Sequence, residues 1–571
     1  MWREERSKKA NKTANPTFSM CFQDGKVRLT KFKEAPATLS TSLDSNDPGT
    51  AKFREQIRVY NGMFCFTSFG RKIDHSINQQ KGPYTFIING QNYHKMGSLI
   101  PAKGANPKFA QLYFFDTQNE VSNRMSAFTD NHTKEEINET IIRNLIHMLD
   151  QFSSVAKAFR MARDWCDQNN SYDFQLRLLG QRSNSRQYNT PSVSEVAVLV
   201  TNYFGDANAT RDIIVNNKNF GPERISELHP SYMALQYPLL FPYGEDGFHE
   251  EIPYHNNSGK RKMKRGFLTM REYYCYVIQY RDNEGTTLLR GGCLFQQFLV
   301  DAYTAIEEQR LRWTRNNQDD LRVDTYHNIY DAVTRGDTKA EAIGQRIVLP
   351  SSFTGSPRYL QQNYQDAMAL CQKFGNPDLF ITFTSNPKWP EIAEMLSNIS
   401  GQKPHDRPEV GTRVFKMKLN ELLDDIMKKQ ILGVCQAVVY VIEFQKCGLP
   451  HAHIFVWLED ISKCKTPRDI DDIISAEIPS PIHDPQGYKA VTEYMLHGPC
   501  GEKAKHAACT VDGKCAKHFP KLFYAETTID EDGYPVYRRR NNKDCAIKGK
   551  YQAHINVEWC NRSRAIKYLF K

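Results

Sequence analysis

The stretch Glu443-Phe-Gln-Lys-Cys-Gly-Leu-Pro-His-Ala-His-Ile-Phe-Val-Trp-Leu458 decides the fold of this chain. A second apolar run, Val438–Phe444, overlaps its start, so the sequence predicts two buried strands joined by a turn over Lys446–Pro450. Because side chains alternate along a strand, His451 and His453 point to the same face. Two histidines placed in this way can bind one metal ion.

The predicted hairpin brings further polar side chains to the histidines. We expect the loop to be Cys447–Leu449, and the register then pairs Lys446 with Pro450, Gln445 with His451, and Glu443 with His453. Two imidazoles and a carboxylate suit a divalent cation that must still accept a phosphate oxygen. The alternative is a pair of core histidines hydrogen-bonded to Glu443, since such groups are costly to bury without partners.

This hairpin resembles the metal site of the HUH endonucleases of rolling-circle replication. In that family two histidines, here His451 and His453, and a third polar ligand bind a divalent cation. Glu443 has the ligand spacing of many Rep-type members, and Gln445 is the alternative third ligand. Three longer phrases are similar to the replication-initiator half of eukaryotic Helitron transposases: Ser226–Glu245, Leu349–Arg358 and Gly375–Pro390. The resemblance implies Mg²⁺ or Mn²⁺ as cofactor and single-stranded DNA at transposon ends as substrate.

The last segment of the chain supplies the nucleophile that the resemblance implies. HUH nucleases attack a phosphodiester with a tyrosine, which requires a polarising cation, a phenol held in line and nearby positive charge. On a helix Tyr568 shares a face with Lys571 and Arg564, and Lys567 is its neighbour in the chain. Tyr568 is the predicted catalytic tyrosine, with Lys571 or Lys567 stabilising charge. Without the family pattern, such a tyrosine is more often a surface packing residue.

Other parts of the family pattern are expected outside this chain. Helitron transposases carry a second tyrosine four residues after the first, and the sequence ends at Lys571, one residue before that position. A helicase domain is the expected partner. Since no Gly-x-x-x-x-Gly-Lys-Ser/Thr phosphate loop occurs in the sequence, we predict no ATPase activity. The start at Met1–Arg6 resembles the interior of a family phrase, and the stretch between Arg540 and Tyr551 is shorter than usual, so we expect a fragment or a transposon remnant.

Positive charge is concentrated near the carboxy terminus. The net charge is +10, and residues 501–571 contain fifteen Lys and Arg against eight Asp and Glu, a net of +7. Basic surfaces with interleaved aromatic side chains hold single strands with little sequence preference. The candidate DNA contacts are Arg538, Arg539, Arg540, Arg564 and Lys567; a solvated basic surface is the alternative. The apolar runs are shorter than the roughly 20 residues that cross a bilayer, so we expect no membrane partner and a nuclear location.

A pattern of cysteines near this basic region predicts a second metal site. The pattern Cys500-x8-Cys509-x5-Cys515-x2-His518 could bind a structural Zn²⁺, with His506 and His497 as alternative ligands. The spacing is irregular, so unbridged thiols are the alternative. Fourteen cysteines without a secretory signal indicate reduced thiols.

The predicted fold class is α+β, an HUH-type antiparallel palm-like sheet with flanking helices, preceded by mixed α/β accessory domains. We predict four segments: a β-rich accessory domain at 1–125, a mixed α/β segment at 126–229 with a long helix over Glu135–Asp167, a connector and helical region at 230–360, and an endonuclease-like domain at 361–571 with a zinc loop at 497–518. Within the last segment we expect a helix near Gln362–Lys373, a strand at Asp378–Thr384 and a helix at Val414–Lys429.

Three functions fit this sequence. The first is a metal-dependent single-strand DNA endonuclease and strand transferase with a tyrosine nucleophile. The second is a DNA-binding transposon remnant without catalysis, and the third is a metallophosphodiesterase that uses water. Loss of cleavage in Tyr568→Phe distinguishes the first from the third.

Overall fold

The structure is a computed structural model, and it falls into two compact units. It describes residues 5–6, 18, 22–44, 46–70, 86–88, 92–128, 137–169, 175–178, 197–200, 213–216, 223–255, 265–318, 348–445, 448–496, 500–505, 509–516, 519, 521–531, 534–540 and 553–560. The first unit comprises Met1–His75, Phe86–Leu311 and Leu396–Arg407; the second comprises Ser76–Thr85, Arg312–Met395 and Pro408–Lys571.

The first unit is mainly helical and has two small antiparallel sheets. Its helices are α1 (Ala37–Ser42), α2 (Ala51–Glu55), α3 (Ile57–Phe64), α4 (Glu120–Phe128), α5 (Glu139–Phe152), α6 (Ser154–Asn169), α7 (Tyr232–Gln236), α8 (Met270–Val277) and α9 (Cys293–Asn316), within which the division between the units falls. Its strands are β1 (Ser68–Phe69), β2 (His94–Met96), β3 (Gln175–Leu178), β4 (Ala197–Val200), β5 (Ile213–Asn216) and β6 (Glu223–Arg224), in the orders β1-β2-β6 and β4-β3-β5.

A cluster of hydrogen-bonded polar side chains is buried within the apolar core of this unit. Asp301 on α9 lies 2.7 Å from His94 Nε2 and accepts hydrogen bonds from Asn92 Nδ2 at 2.8 Å and the Tyr237 hydroxyl at 2.9 Å. The His94 ring stacks on Tyr232, with ring centroids 3.9 Å apart. Because a buried carboxylate is tolerated only with such partners, this group ties β2 and α7 to α9.

Two expectations for the first unit are wrong in the part of the chain that the structure describes. Residues 1–125 are helical rather than β-rich there, since α3 buries Ile57, Tyr60 and Phe64 at helical spacing. The single long helix expected over Glu135–Asp167 is two helices, α5 and α6. Ser153 separates them with an extended backbone, φ −78° and ψ 121°.

The second unit is built around one four-stranded sheet. Its helices are α10 (Pro357–Phe374), α11 (Pro390–Leu396), α12 (Pro408–Met427), α13 (Pro467–Ile473) and α14 (Pro485–Ala490). Its strands are β7 (Leu379–Thr384), β8 (Cys435–Phe444), β9 (Pro450–Leu458), β10 (Thr510–Val511), β11 (Lys514–Cys515), β12 (Thr528–Ile529), β13 (Pro535–Val536) and β14 (Ile555–Trp559). The main sheet has the order β14-β7-β9-β8, and all of its pairs are antiparallel.

Local signals in the sequence start and stop the helix that precedes the sheet. The Ser356 side chain accepts a hydrogen bond from Tyr359 N at the start of α10, and Pro357 occupies the first turn. The helix ends at Gly375, whose φ of 83° is unfavourable for residues with a side chain. The chain then turns directly into β7.

The two faces of the main sheet are packed differently. Ile381, Phe383 and Ile454 belong to the face that packs on α12, where the Phe383 and Phe415 rings stack 5.3 Å apart. On the opposite face, Phe455 and Trp457 are fully buried against α10. Trp457 Nε1 donates to Gly375 O at 3.0 Å and so fixes the end of α10 on the sheet.

The expectations for this unit are mostly confirmed. The helices expected near Gln362–Lys373 and Val414–Lys429 correspond to α10 and α12, and the strand expected at Asp378–Thr384 corresponds to β7, whose residues alternate between buried and half-buried. One expectation is wrong: Val438–Phe444 is not a buried strand. It is part of β8, which is an edge strand with half-exposed residues, because β9 occupies the interior position.

Helices combined with small antiparallel sheets agree with the α+β class. The boundaries of the four predicted segments stay a prediction. Within the described ranges, none of the helices has the length together with the apolar character that a membrane span requires.

Candidate metal centre

The β8–β9 hairpin forms as predicted, but its register is shifted by two residues from the predicted one. The structure pairs Phe444 with Pro450, Glu443 with His451 and Val441 with His453. Gln445 N donates to Leu449 O at 3.0 Å, so Leu449 is paired with Gln445 and, contrary to expectation, is not part of the loop. The residue before it, Gly448, has a φ of 76°. Three-residue hairpin loops place their left-handed residue last, and this rule locates the glycine.

The shift by two residues leaves both histidines on the same face as Glu443. Ligand atoms of Glu443, His451 and His453 all lie within 4.8 Å of one another. Glu443 Oε1 is 3.0 Å from His453 Nε2, a diagonal contact across the strand pair. The side chains of Glu443 and His453 are 57% and 24% exposed, whereas His451 is buried. The group is therefore open to solvent on the β8 side.

Neighbouring side chains hold the two imidazoles in place. The Thr384 hydroxyl on β7 lies 2.7 Å from His451 Nδ1, which leaves Nε2 of that ring for a ligand. Gln445 Nε2 lies 3.5 Å from the same Nδ1, a longer contact. The Phe380 ring stacks on His453 with centroids 5.4 Å apart and an angle of 8° between the planes. Contacts of this kind fix the tautomer and the direction of a metal-binding histidine.

The electrostatics of the site favour a neutral His451. Burial lowers the pKa of His451, and the neighbouring His453 and His554 lower it further, while Glu443 acts in the opposite direction. A neutral imidazole keeps the lone pair that a cation needs, whereas a protonated one repels the cation. His451 is thus able to bind a cation at neutral pH.

The donor set fits a divalent cation of the Mg²⁺ or Mn²⁺ class. Two ligand atoms about 2.1 Å from such an ion and at right angles to each other are about 3.0 Å apart. The distance between Glu443 Oε1 and His453 Nε2 has this value. No hydrogen-bond partner of the buried His453 Nδ1 is found among the described residues. One carboxylate and two imidazoles would leave further coordination positions for water or a phosphate oxygen.

Strand β14 brings the end of the chain to the same sheet. It pairs with β7, with Ile555 opposite Phe383 and Trp559 opposite Leu379. Thr384 N donates to His554 O at 3.0 Å, which places His554 in the same row of the sheet as Thr384 and His451. The sequence analysis missed Thr384, Phe380 and His554. Alternation along β7 puts Phe380 and Thr384 on one face, but the pairing of β7 with β9 and β14 is a long-range contact that local pattern does not reveal.

The run Arg538–Arg540 has internal partners. Arg540 Nε and Nη2 each lie 2.9 Å from an oxygen of Glu477, and Arg538 Nη1 lies 3.0 Å from Asp471 Oδ2. Arg539 Nη1 donates to Leu522 O at 3.5 Å. Because two of the three guanidinium groups are matched by carboxylates within the protein, DNA binding by this run stays a prediction.

Several predicted site residues lie outside the described residues. They are Tyr568, Lys571, Lys567 and Arg564 of the tyrosine segment, and His518, His506 and His497 of the cysteine segment. The three cysteines of that segment are described. The Sγ atoms of Cys500, Cys509 and Cys515 lie within 4.8 Å of one another, and the three cysteines are not in disulfide bonds. The pKa of the Cys500 thiol is raised to about 11 by burial and by hydrogen bonds with Cys515 and Cys509.

Comparison with known families adds an independent finding. Residues 273–456 match the family described as the Helitron helicase-like domain at the N-terminus. This part of the chain is Helitron-like. The match covers about a third of the 571 residues and contains β7, β8 and both histidines of β9. It indicates a role related to Helitron transposition and interaction with DNA. A comparison with curated proteins found no match.

Proposed function

We propose that this Helitron-like chain is a metal-dependent single-strand DNA endonuclease and strand transferase of the HUH type, in which Tyr568 is the nucleophile. The observation that carries the proposal is the convergence of His451, His453 and Glu443 within 4.8 Å on one face of an antiparallel sheet. The Helitron-like match over the same hairpin supports it. Action on transposon DNA would place the protein in the nucleus, next to a helicase domain.

The residues of the site would divide the work as follows. Glu443 and the two imidazoles would hold Mg²⁺ or Mn²⁺. The bound cation would polarise a phosphoryl oxygen of the DNA and neutralise its charge. Thr384 would keep His451 in the binding tautomer through its contact with Nδ1. The exposed side of the group, where Glu443 lies, would admit the DNA backbone.

The chemical step exchanges one phosphate ester for another. The phenol oxygen of Tyr568 forms a bond to phosphorus, and the bond from phosphorus to the departing 3′ oxygen breaks. The phenol loses its proton and the 3′ oxygen gains one, which leaves a 5′-phosphotyrosine and a free 3′-hydroxyl. Lys567 or Lys571 would favour the phenolate form of Tyr568. Attack by the 3′-hydroxyl of a strand reverses the step and joins DNA.

The length of the chain after β14 is compatible with this role. Cys560 N donates to Asp378 O, at the end of the sheet away from the histidines. Tyr568 follows eight residues later, and eight helical residues span about 12 Å. The four strand residues from Trp457 to His453 span about 13 Å. The tyrosine segment is therefore of about the length that this role requires.

A covalent-adduct assay tests the proposal. The chain is incubated with a 5′-labelled and a 3′-labelled single-stranded oligonucleotide and Mn²⁺, and the products are separated under denaturing conditions. We expect a protein-linked product carrying only the 3′ label, and its loss in Tyr568→Phe. Tyr534→Phe, a change at an exposed tyrosine of the same unit, is the matched control and keeps the adduct. Binding without an adduct in the unmodified chain would support a DNA-binding remnant, and cleavage that persists in Tyr568→Phe would support a water nucleophile.

A further inference from the structure

Three cysteines meet in a short segment of the second unit that takes no part in the chemistry proposed above. Cys500 precedes a single 3₁₀ turn, Gly501–Ala504, and the other two flank a hairpin, β10–β11. Thr510 pairs with Cys515, and Ala516 N donates to Cys509 O at 2.8 Å, so Cys509 and Cys515 lie on opposite strands near the open end of the hairpin. The three Sγ atoms lie within 4.8 Å of one another.

The backbone of the segment is shaped to bring these thiols together. Asp512 and Gly513 form the hairpin turn with φ values of 50° and 76°, the pair of left-handed residues that a tight two-residue hairpin requires. Gly501 N donates to Thr510 Oγ1 at 2.8 Å, and Thr510 Oγ1 donates to Ala504 O at 3.1 Å. A Cβ on Gly501 would meet Gly513 O at 3.2 Å, so the 3₁₀ turn approaches the hairpin closely.

Apolar burial does not account for this arrangement. Among the described residues from Cys500 to Ala516, Gly501 alone is buried, and the apolar side chain of Val511 is 58% exposed. A segment this small without a core ordinarily needs a disulfide or a metal to hold one conformation. The three cysteines are not in disulfide bonds, and a disulfide between two of them would leave the third thiol outside it.

We propose that Cys500, Cys509 and Cys515 bind a structural Zn²⁺ ion that stabilises the segment from Cys500 to Ala516. Thiolates about 2.3 Å from a tetrahedral zinc ion are about 3.8 Å apart, and the three Sγ atoms lie within 4.8 Å of one another. Soft sulfur ligands favour Zn²⁺ over the Mg²⁺ or Mn²⁺ proposed for the histidines. The fourth ligand that the sequence predicts, His518, lies outside the described residues.

This ion would have a structural role. It would fix the conformation at the start of the basic region, residues 501–571, which carries a net charge of +7. Zinc sites built on several cysteine thiolates are typically structural and do no chemistry. The zinc site and the histidine site therefore differ in ligand chemistry, in metal and in role, and each can be lost without the other.

Metal analysis of the purified chain tests the proposal. After gel filtration without added metal, we expect one equivalent of zinc per chain, and its loss in Cys509→Ser. The matched control is Cys464→Ser, a change at a free, half-buried cysteine outside the cluster, and it keeps the zinc. The double variant His451→Ala/His453→Ala also keeps it, which separates this ion from the proposed nuclease cation.

A second measurement needs no variant and covers the case in which Cys509→Ser does not fold. Titration of the unmodified chain with a mercurial reagent, in the presence of a zinc indicator, should release zinc as thiols react. Substitution with Co²⁺ should give the near-ultraviolet band of thiolate coordination together with the visible bands of a tetrahedral ion. A chain purified without zinc, zinc that survives the thiol reagent, or a disulfide within the cluster found by alkylation and mass spectrometry would each overturn the proposal.

Discussion

Among single residues, Thr384 has the clearest influence on the histidine site. Its hydroxyl lies 2.7 Å from His451 Nδ1 and selects the nitrogen that faces a ligand. Phe380 restrains the second imidazole by stacking at 5.4 Å. Neither residue would bind the cation, yet both would determine whether the imidazoles point to one place.

Removal of the Thr384 hydroxyl tests this role. We expect Thr384→Val to weaken Mn²⁺ binding roughly 10- to 100-fold, because loss of a partner behind a metal-binding histidine has effects of this size. Thr384→Ser keeps the hydroxyl and should bind Mn²⁺ nearly as well as the unmodified chain. Calorimetric titration measures both. Equal affinities in the valine and serine variants would contradict the role assigned to Thr384.

The histidines and Glu443 could be predicted from the sequence because spacing along one strand and across one turn is local information. Thr384 and His554 could not, since they reach the site through pairing of β7 and β14, which are far apart in the sequence. The expected contact of Glu443 with His453 is present. It is diagonal, because Glu443 lies directly opposite His451.

At the level of elements, the β8–β9 hairpin and the segment around β12 and β13 differ in how they are stabilised. The hairpin gains its stability from β9, whose residues are almost all buried between neighbouring strands and helices. The segment around β12 and β13 depends on ion pairs with the α13 region. There Asp471 and Glu477 bind Arg538 and Arg540, and the Thr527 hydroxyl donates to Asp471 Oδ1.

Arg540 is therefore expected to contribute to stability. Glu477 is buried, and Arg540 binds both of its carboxylate oxygens. Loss of this bidentate ion pair in Arg540→Gln should lower the free energy of unfolding of the second unit by about 1–3 kcal/mol. Arg539→Gln is the matched control in the same run and should change it by less than about 0.5 kcal/mol. Urea denaturation measures both variants. An Arg540→Gln protein with the same free energy of unfolding as the unmodified chain would refute this assignment.

The DNA-binding role predicted for the same run has its own measurement. The Arg539 side chain makes a long contact with Leu522 O, 3.5 Å from its Nη1. If it binds a phosphate, Arg539→Gln should reduce the slope of log affinity against log salt concentration by about 0.7 on single-stranded DNA. A slope identical to that of the unmodified chain would show that Arg539 makes no such contact.

The conformation of the turn explains why the register of the β8–β9 hairpin differs by two residues from the predicted one. A three-residue loop was expected, with glycine in its middle, whereas Gly448 is the last loop residue and has a φ of 76°. The rule that the left-handed residue comes last in such loops was available from the sequence. The break at Ser153 was harder to predict, because the apolar spacing continues from α5 into α6. Ser153 is the one residue between the two helices whose backbone is not helical.

On the scale of the whole molecule, the half-buried Glu245 makes the stability of the first unit depend on pH. In the first unit, burial raises the pKa of Glu245 to about 7, although backbone hydrogen bonds and Lys33 oppose the shift. A carboxyl group whose folded pKa lies above its unfolded value stabilises the fold at low pH. This contribution is lost as the pH rises from about 4.5 to about 7.

The Glu245→Gln variant should remove this pH dependence. The amide can still accept the hydrogen bond from Tyr243 N and carries no charge at any pH. We expect it to match the unmodified chain at pH 4.5 and to raise the stability of the first unit by roughly 1–3 kcal/mol at pH 8. Thermal unfolding at the two pH values measures the difference. An equal stability change at both would contradict the raised pKa.

Binding of Mn²⁺ is the measurement that tests the central claim most directly, namely that the β8–β9 hairpin holds a divalent cation. In a titration followed by electron paramagnetic resonance, the unmodified chain should bind one Mn²⁺ ion, and His453→Ala should abolish that binding. His405→Ala, a change at an exposed histidine outside the site, should leave it intact. If His453→Ala binds Mn²⁺ as tightly as the unmodified chain, or if the unmodified chain binds none, the account is wrong.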